Sequence, residues 1–121
     1  MFYFTLDEDI EGVILPLTNL NSKPNSEIAL IVMRTYIAAS NFKKQTVTVI
    51  VDEELSTAVK GQDFDFSPTT LEFKDLNTRL PFKVNVNSAK GKTIVLQLNY
   101  EYYNECPAEG RRVDRLQIKI K

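Results

Sequence analysis

Apolar and polar residues alternate with a period of two along much of this chain. Thr46-Val47-Thr48-Val49-Ile50-Val51 sets Val47, Val49 and Val51 on one face and Thr46, Thr48 and Ile50 on the other. Phe82, Val84 and Val86 alternate with Lys83, Asn85 and Asn87, and Ile94, Leu96 and Leu98 with Val95, Gln97 and Asn99. The last residues repeat the pattern most cleanly, with Leu116, Ile118 and Ile120 set against Gln117, Lys119 and Lys121. Each run predicts a strand with one face on a core and the other in water. The second faces carrying Ile50 and Val95 are less polar, which predicts strands covered on both sides.

Turn signals separate these runs. Asn21-Ser22-Lys23-Pro24-Asn25-Ser26 divides an N-terminal strand region from the apolar run Glu27–Arg34. Ser67-Pro68, Asp75-Leu76-Asn77-Thr78, Ser88-Ala89-Lys90-Gly91 and Glu109-Gly110 mark further reversals. Sustained helical periodicity is missing, and Ile37-Ala38-Ala39-Ser40-Asn41 offers one helical turn at most. The pattern predicts an all-β fold: an antiparallel two-sheet β-sandwich of seven or eight short strands, immunoglobulin-like in kind. The final strand, tipped by lysines, is open to pairing within its sheet or joining a neighbour's edge, and its lysines fit a protected edge.

Residues 58 to 86 add a more specific signal. Ala58-Val59-Lys60-Gly61-Gln62-Asp63-Phe64-Asp65-Phe66 forms a Gly-Asp-aromatic corner, followed by Thr70-Leu71-Glu72-Phe73 and then Pro81-Phe82-Lys83-Val84-Asn85-Val86. This order resembles the middle of a Calx-β domain, with the match best over residues 45–98, and Glu11-Gly12 resembles the family's acid-glycine pair after the first strand. The resemblance implies a β-sandwich used for binding or spacing. It also implies calcium held by carboxylates at one end, with Glu11 and Asp63 at the matching positions and Asp52, Glu53 and Glu54 close by. Calcium takes six to eight oxygen ligands. Lys90-Gly91-Lys92-Thr93 and Ile118-Lys119-Ile120-Lys121 stand where the family supplies further acids, so no metal site is favoured and no cofactor is expected. Asp63 has a plainer reading, as a corner carboxylate accepting backbone N–H bonds.

Composition narrows the chemistry. The 121 residues make one domain, 1–121, with a formal net charge of −1 and no field to draw in nucleic acid or anionic lipid. No apolar run reaches the ~18 residues of a membrane helix, and the first residues lack a secretion-signal pattern. As written, the chain is expected to be intracellular. It has no histidine and a single cysteine, Cys106, so no internal disulfide, ordinary catalytic triad or His-based zinc site can form. No Gly-rich phosphate loop occurs either. The expectation is a protein that is not an enzyme and has no small-molecule substrate.

Two surface features remain. Tyr100, Tyr102 and Tyr103 set three tyrosines within four residues, and Arg111, Arg112 and Arg115 form a basic cluster. Tyrosine and arginine are enriched in interface hot spots. For the tyrosines, interface and core-edge packing stand equally. For the arginines, ion pairs with interleaved acids such as Glu109 and Asp114 compete with an interface. The functional expectation is a non-catalytic structural protein bound to other proteins in a larger assembly. It is placed as a decoration or accessory component of a phage virion, the capsid surface preferred, with capsid or tail proteins as partners and made in the host cytoplasm. The alternative is a Calx-β-type adhesion or ligand-binding module of a bacterial cell surface, with or without calcium.

Overall fold

The computed structural model describes residues 2–6, 16–34, 45–74, 79–100 and 114–121. Within them the strands are β1 (Phe2–Leu6), β2 (Asn19–Ser22), β3 (Ser26–Arg34), β4 (Gln45–Val51), β5 (Phe64–Ser67), β6 (Thr70–Phe73), β7 (Arg79–Val86), β8 (Thr93–Tyr100) and β9 (Arg115–Ile120). They form a four-stranded sheet, β1-β3-β7-β5, and a five-stranded sheet, β2-β9-β8-β4-β6. Pairing is antiparallel throughout except between β2 and β9, which run parallel. The expected two-sheet sandwich is present, with nine strands among the described residues rather than seven or eight. The polar strand β2 and the short β5 account for the difference. The reversals at Glu109-Gly110 and 75–78 and the helical turn at 37–41 lie outside the described residues.

The alternation translates directly into two layers. On β7, Phe82, Val84 and Val86 are buried while Lys83 and Asn85 are exposed. On β9, Leu116, Ile118 and Ile120 are buried, and on β4 so are Val47 and Val49. These inward side chains join one continuous core. An aromatic chain runs across the four-stranded sheet, with the Phe82 ring 5.7 Å from Phe4 on β1 and 5.5 Å from Phe66 on β5. Each fully buried side chain of this size contributes about 1.5–3 kcal/mol relative to exposure.

Two local expectations hold only in part. Val95 is covered on its outer side, as predicted, but Ile50 is 42% exposed. The last strand pairs within its sheet, one of its two expected readings, and is not a protected edge, because β2 flanks β9 on one side and β8 on the other. Beyond these, the outer face of the β1–β3 pair is buried at Tyr3, Ile31 and Met33, which form a second small cluster. The unbroken apolar run Ile28–Met33 accounts for this, since a strand apolar on both faces suits burial on both.

Successive strands often cross from one sheet to the other at tight turns. Residues 23–25 carry the chain from β2 to β3, with Asn25 at φ 54°, a left-handed conformation that asparagine tolerates. The Ser67-Pro68 bond between β5 and β6 is cis. The turns at 23–25, 52–63 and 87–92 gather at one end of the sandwich. They are tied there by bonds such as Asn25 N to Asn87 O (3.0 Å) and Asn87 N to Asp63 O (2.8 Å).

Candidate functional site

The Gly-Asp-aromatic corner lies at this turn end. Gly61 has φ 90° and its N–H donates to Phe64 O at 2.7 Å, a backbone path that disfavours a Cβ. The turn points the Asp63 side chain inward, leaving the residue 5% exposed. Its Oδ2 accepts the Val59 N–H at 2.8 Å. Lys92 Nζ lies 3.0 Å from both carboxylate oxygens. The Val59 N–H, then the Lys92 hydrogen bonds, hold the Asp63 carboxyl below its ordinary value of 3.8, with burial pulling the other way. The corner is therefore a lock between the β4–β5 connection and the start of β8. The ammonium sits on the side of the carboxylate that a cation would approach.

The other described acids of the calcium reading do not join Asp63. Asp52 Oδ1 accepts the Glu54 and Leu55 N–H groups at 3.1 and 3.2 Å, as a turn cap. Its Oδ2 faces Arg115 Nη2 at 3.5 Å. Glu53 is exposed on the same turn, and Glu11 lies outside the described residues. Among the described residues no three His, Cys, Asp or Glu side chains are grouped as a metal site.

Arg115 anchors a polar network on the outer face of the five-stranded sheet. Its Nε donates to Gln97 Oε1 at 3.0 Å. The Gln97 Nε2 donates to Leu98 O at 2.9 Å and to Asp114 O at 3.2 Å, and Gln97 is buried. The ion pair expected for this arginine is present, but with Asp52 from β4's end rather than with a sequence neighbour.

At the opposite end of the sandwich, Tyr100 is half-buried, with its ring 4.6 Å from Phe2 and its hydroxyl donating to Asp114 Oδ2 at 3.3 Å. That is the core-edge arrangement. Beside it the buried Arg34 links the sheets: Nη2 donates to Lys74 O at 2.8 Å, Nη1 reaches Gln45 Oε1 at 3.4 Å, and the guanidinium lies 5.2 Å from the Phe73 ring centre. Tyr102, Tyr103, Arg111, Arg112 and Cys106 lie outside the described residues. Sequence reasoning missed Arg34 and Gln97, because a polar residue at the end or outer face of a strand carries no mark of burial.

The five-stranded sheet also bears a shallow depression of about 290 Å3 lined by Asn19, Leu20, Asn21, Gln117 and Lys119. Among the described residues no helix is long and apolar enough to cross a membrane. No family model matches the chain, and no curated protein matches it. Among solved structures it is similar to the third cohesin of ScaC from Acetivibrio cellulolyticus, solved in complex with the ScaB dockerin. The identity is 10%, the TM-score 0.49, and the match covers 86% of this chain and 97% of that one.

Proposed function

We propose that this chain is a non-catalytic interaction protein that works by occupying a place in a larger protein assembly. The observation that supports this most is how the buried and half-buried polar side chains among the described residues are used. Asp63, Lys92, Asp52, Arg115, Gln97 and Arg34 are engaged in holding turns and sheets together. A general acid or base has to face a substrate with its polar atoms available. The function then resides in outer surfaces carried on one continuous apolar core.

The finer reading is an auxiliary part of a virion, a decoration or accessory protein, with the capsid surface preferred. It rests on analogy with the small immunoglobulin-like sandwiches common in such particles. The Calx-β likeness remains a likeness of the 58–86 motif. Its calcium chemistry is disfavoured by the Lys92 ammonium on Asp63, so binding is proposed to need no cofactor.

Add-back tests the assembly reading. Purified protein is titrated onto native particles made without it, and uptake is followed by pelleting and quantitative mass spectrometry. Saturation at a fixed copy number supports the proposal. Linear, unsaturable uptake, or none, rejects it.

A further inference from the structure

Four lysines far apart in sequence, Lys23, Lys90, Lys119 and Lys121, meet at one corner of the sandwich. Backbone bonds bring them together: Lys121 N donates to Ser22 O at 2.8 Å, Gly91 N to Ile120 O at 2.7 Å, and Ile120 N to Lys92 O at 2.9 Å. The β2–β3 turn, the β7–β8 turn and the end of β9 therefore lie side by side. All four lysines are exposed. The ion pairs among the described residues involve other cations: Lys83 with Glu27, Lys92 with Asp63 and Arg115 with Asp52. No Asp or Glu occurs in residues 16–26, 87–93 or 117–121, the segments that build the corner. A chain of net charge −1 thus gathers four exposed lysines on segments free of acids, beside the 52–63 turn whose Asp52 and Asp63 are already paired with Arg115 and Lys92. Holding like charges together costs energy that an anionic partner would offset.

Two further features adjoin the lysines. The depression between β2 and β9 is lined by Leu20, Lys119 and the amide residues Asn19, Asn21 and Gln117, a side-chain type that carries both donor and acceptor. In addition, β2 is the last strand of its sheet, and among the described residues no strand pairs with its other side. Such an edge is a template for an extended chain. Residues 16–26, 87–93 and 117–121 contain neither an aromatic ring nor an arginine. Single-stranded nucleic acid is held by stacking rings and charge together, so the corner favours protein carboxylates.

We propose that the β2–β9 corner docks an extended acidic segment of a partner protein, laid along β2 with its carboxylates among Lys23, Lys90, Lys119 and Lys121. This rests on the interaction reading above and supplies the chemistry of one partner.

The test is fluorescence anisotropy with a labelled peptide of alternating Glu and Thr. A Gln-Thr peptide and an oligothymidylate of equal charge serve as comparisons. Wild type is set against the triple variant Lys23→Glu, Lys90→Glu, Lys119→Glu, whose positions are all exposed and whose folding is checked by melting. The expected result is saturable binding of the Glu-Thr peptide at low salt. It should weaken about tenfold or more in the triple variant and again on raising salt to ~0.15 M, where screening acts within about 8 Å. No saturable binding, equal binding by the triple variant, or tighter binding of the oligothymidylate would each overturn the proposal. In the add-back assay, a triple variant that loads as well as wild type sinks the corner and leaves the assembly reading standing. Failure of both proteins to load sinks the assembly reading, and the peptide titration then decides the corner alone.

Discussion

Replacing Phe82 by alanine removes the hub of the aromatic chain in the four-stranded sheet. The side chain is 2% exposed and touches Phe4 from one edge strand and Phe66 from the other. Loss of a buried phenylalanine costs about 3–5 kcal/mol, the transfer of its surface plus the cavity left behind. For a domain of this length 1 kcal/mol corresponds to about 4 °C in Tm, so the expected drop is about 12–20 °C. Phe82→Leu keeps most of the volume but loses two ring pairs, for about 2 kcal/mol. The neighbouring Lys83→Ala removes only an exposed pair with Glu27 at 3.4 Å, worth about 0.5 kcal/mol or less. Thermal melts of the three variants under one buffer, with two-state fits, measure the series. A one-residue slip of β7 would carry Lys83 inward and Phe82 into water. Equal Tm losses for Phe82→Ala and Lys83→Ala, or the reverse order, would refute the register and with it the sandwich as described.

Other outcomes follow from single interactions. Asp63 has a folded value below its ordinary 3.8, so its contribution is present above that pH and lost as pH falls through the folded value. Denaturation midpoints of wild type and Asp63→Asn should therefore differ at neutral pH and converge in acid; a gap that persists or widens in acid contradicts the lock. Gly61→Ala meets no atom within 4 Å but must hold φ 90°, so a loss of about 1 kcal/mol, or roughly 4 °C, is expected in a melt. Tyr100→Phe should cost about 1 kcal/mol, while Tyr100→Ala, which also loses the contact with Phe2, should cost clearly more by chemical denaturation. Millimolar calcium should leave Tm unchanged, and a saturable rise would restore the calcium reading.

Alternation made much of the fold legible. The faces of β4, β7 and β9 follow the period-two pattern because each has one side on the core and one in water. The strands that escaped it were short or polar. Asn19-Leu20-Asn21-Ser22 has little strand propensity and is strand because β9 offers it a partner, a tertiary effect that a local reading cannot see. Phe64–Ser67 is four residues long and merges with the corner before it. Val95 and Ile50 look alike in the sequence, yet one is 2% and the other 42% exposed, since neighbours outside the strand decide burial on an outer face.

Of the candidate site, the Asp63 corner was readable from Gly61-Gln62-Asp63-Phe64, and the lysines at 90 and 92 carried the hint that a cation already stood there. The Arg115 partner was not readable, because Asp52 lies across two strands rather than nearby in the chain. The lysine corner had no local signature at all. Its members come from three separate segments that only the parallel β2–β9 pairing and the β7–β8 turn bring together.

The central claim is that this protein exists as a fixed-stoichiometry part of an assembly. Density-gradient separation of native source material, with the chain followed by quantitative mass spectrometry, tests it most directly. The account predicts that the chain sediments with a large particle at a constant ratio to that particle's main protein across the peak. Recovery at the top of the gradient, as a free 13.8 kDa species, would contradict it.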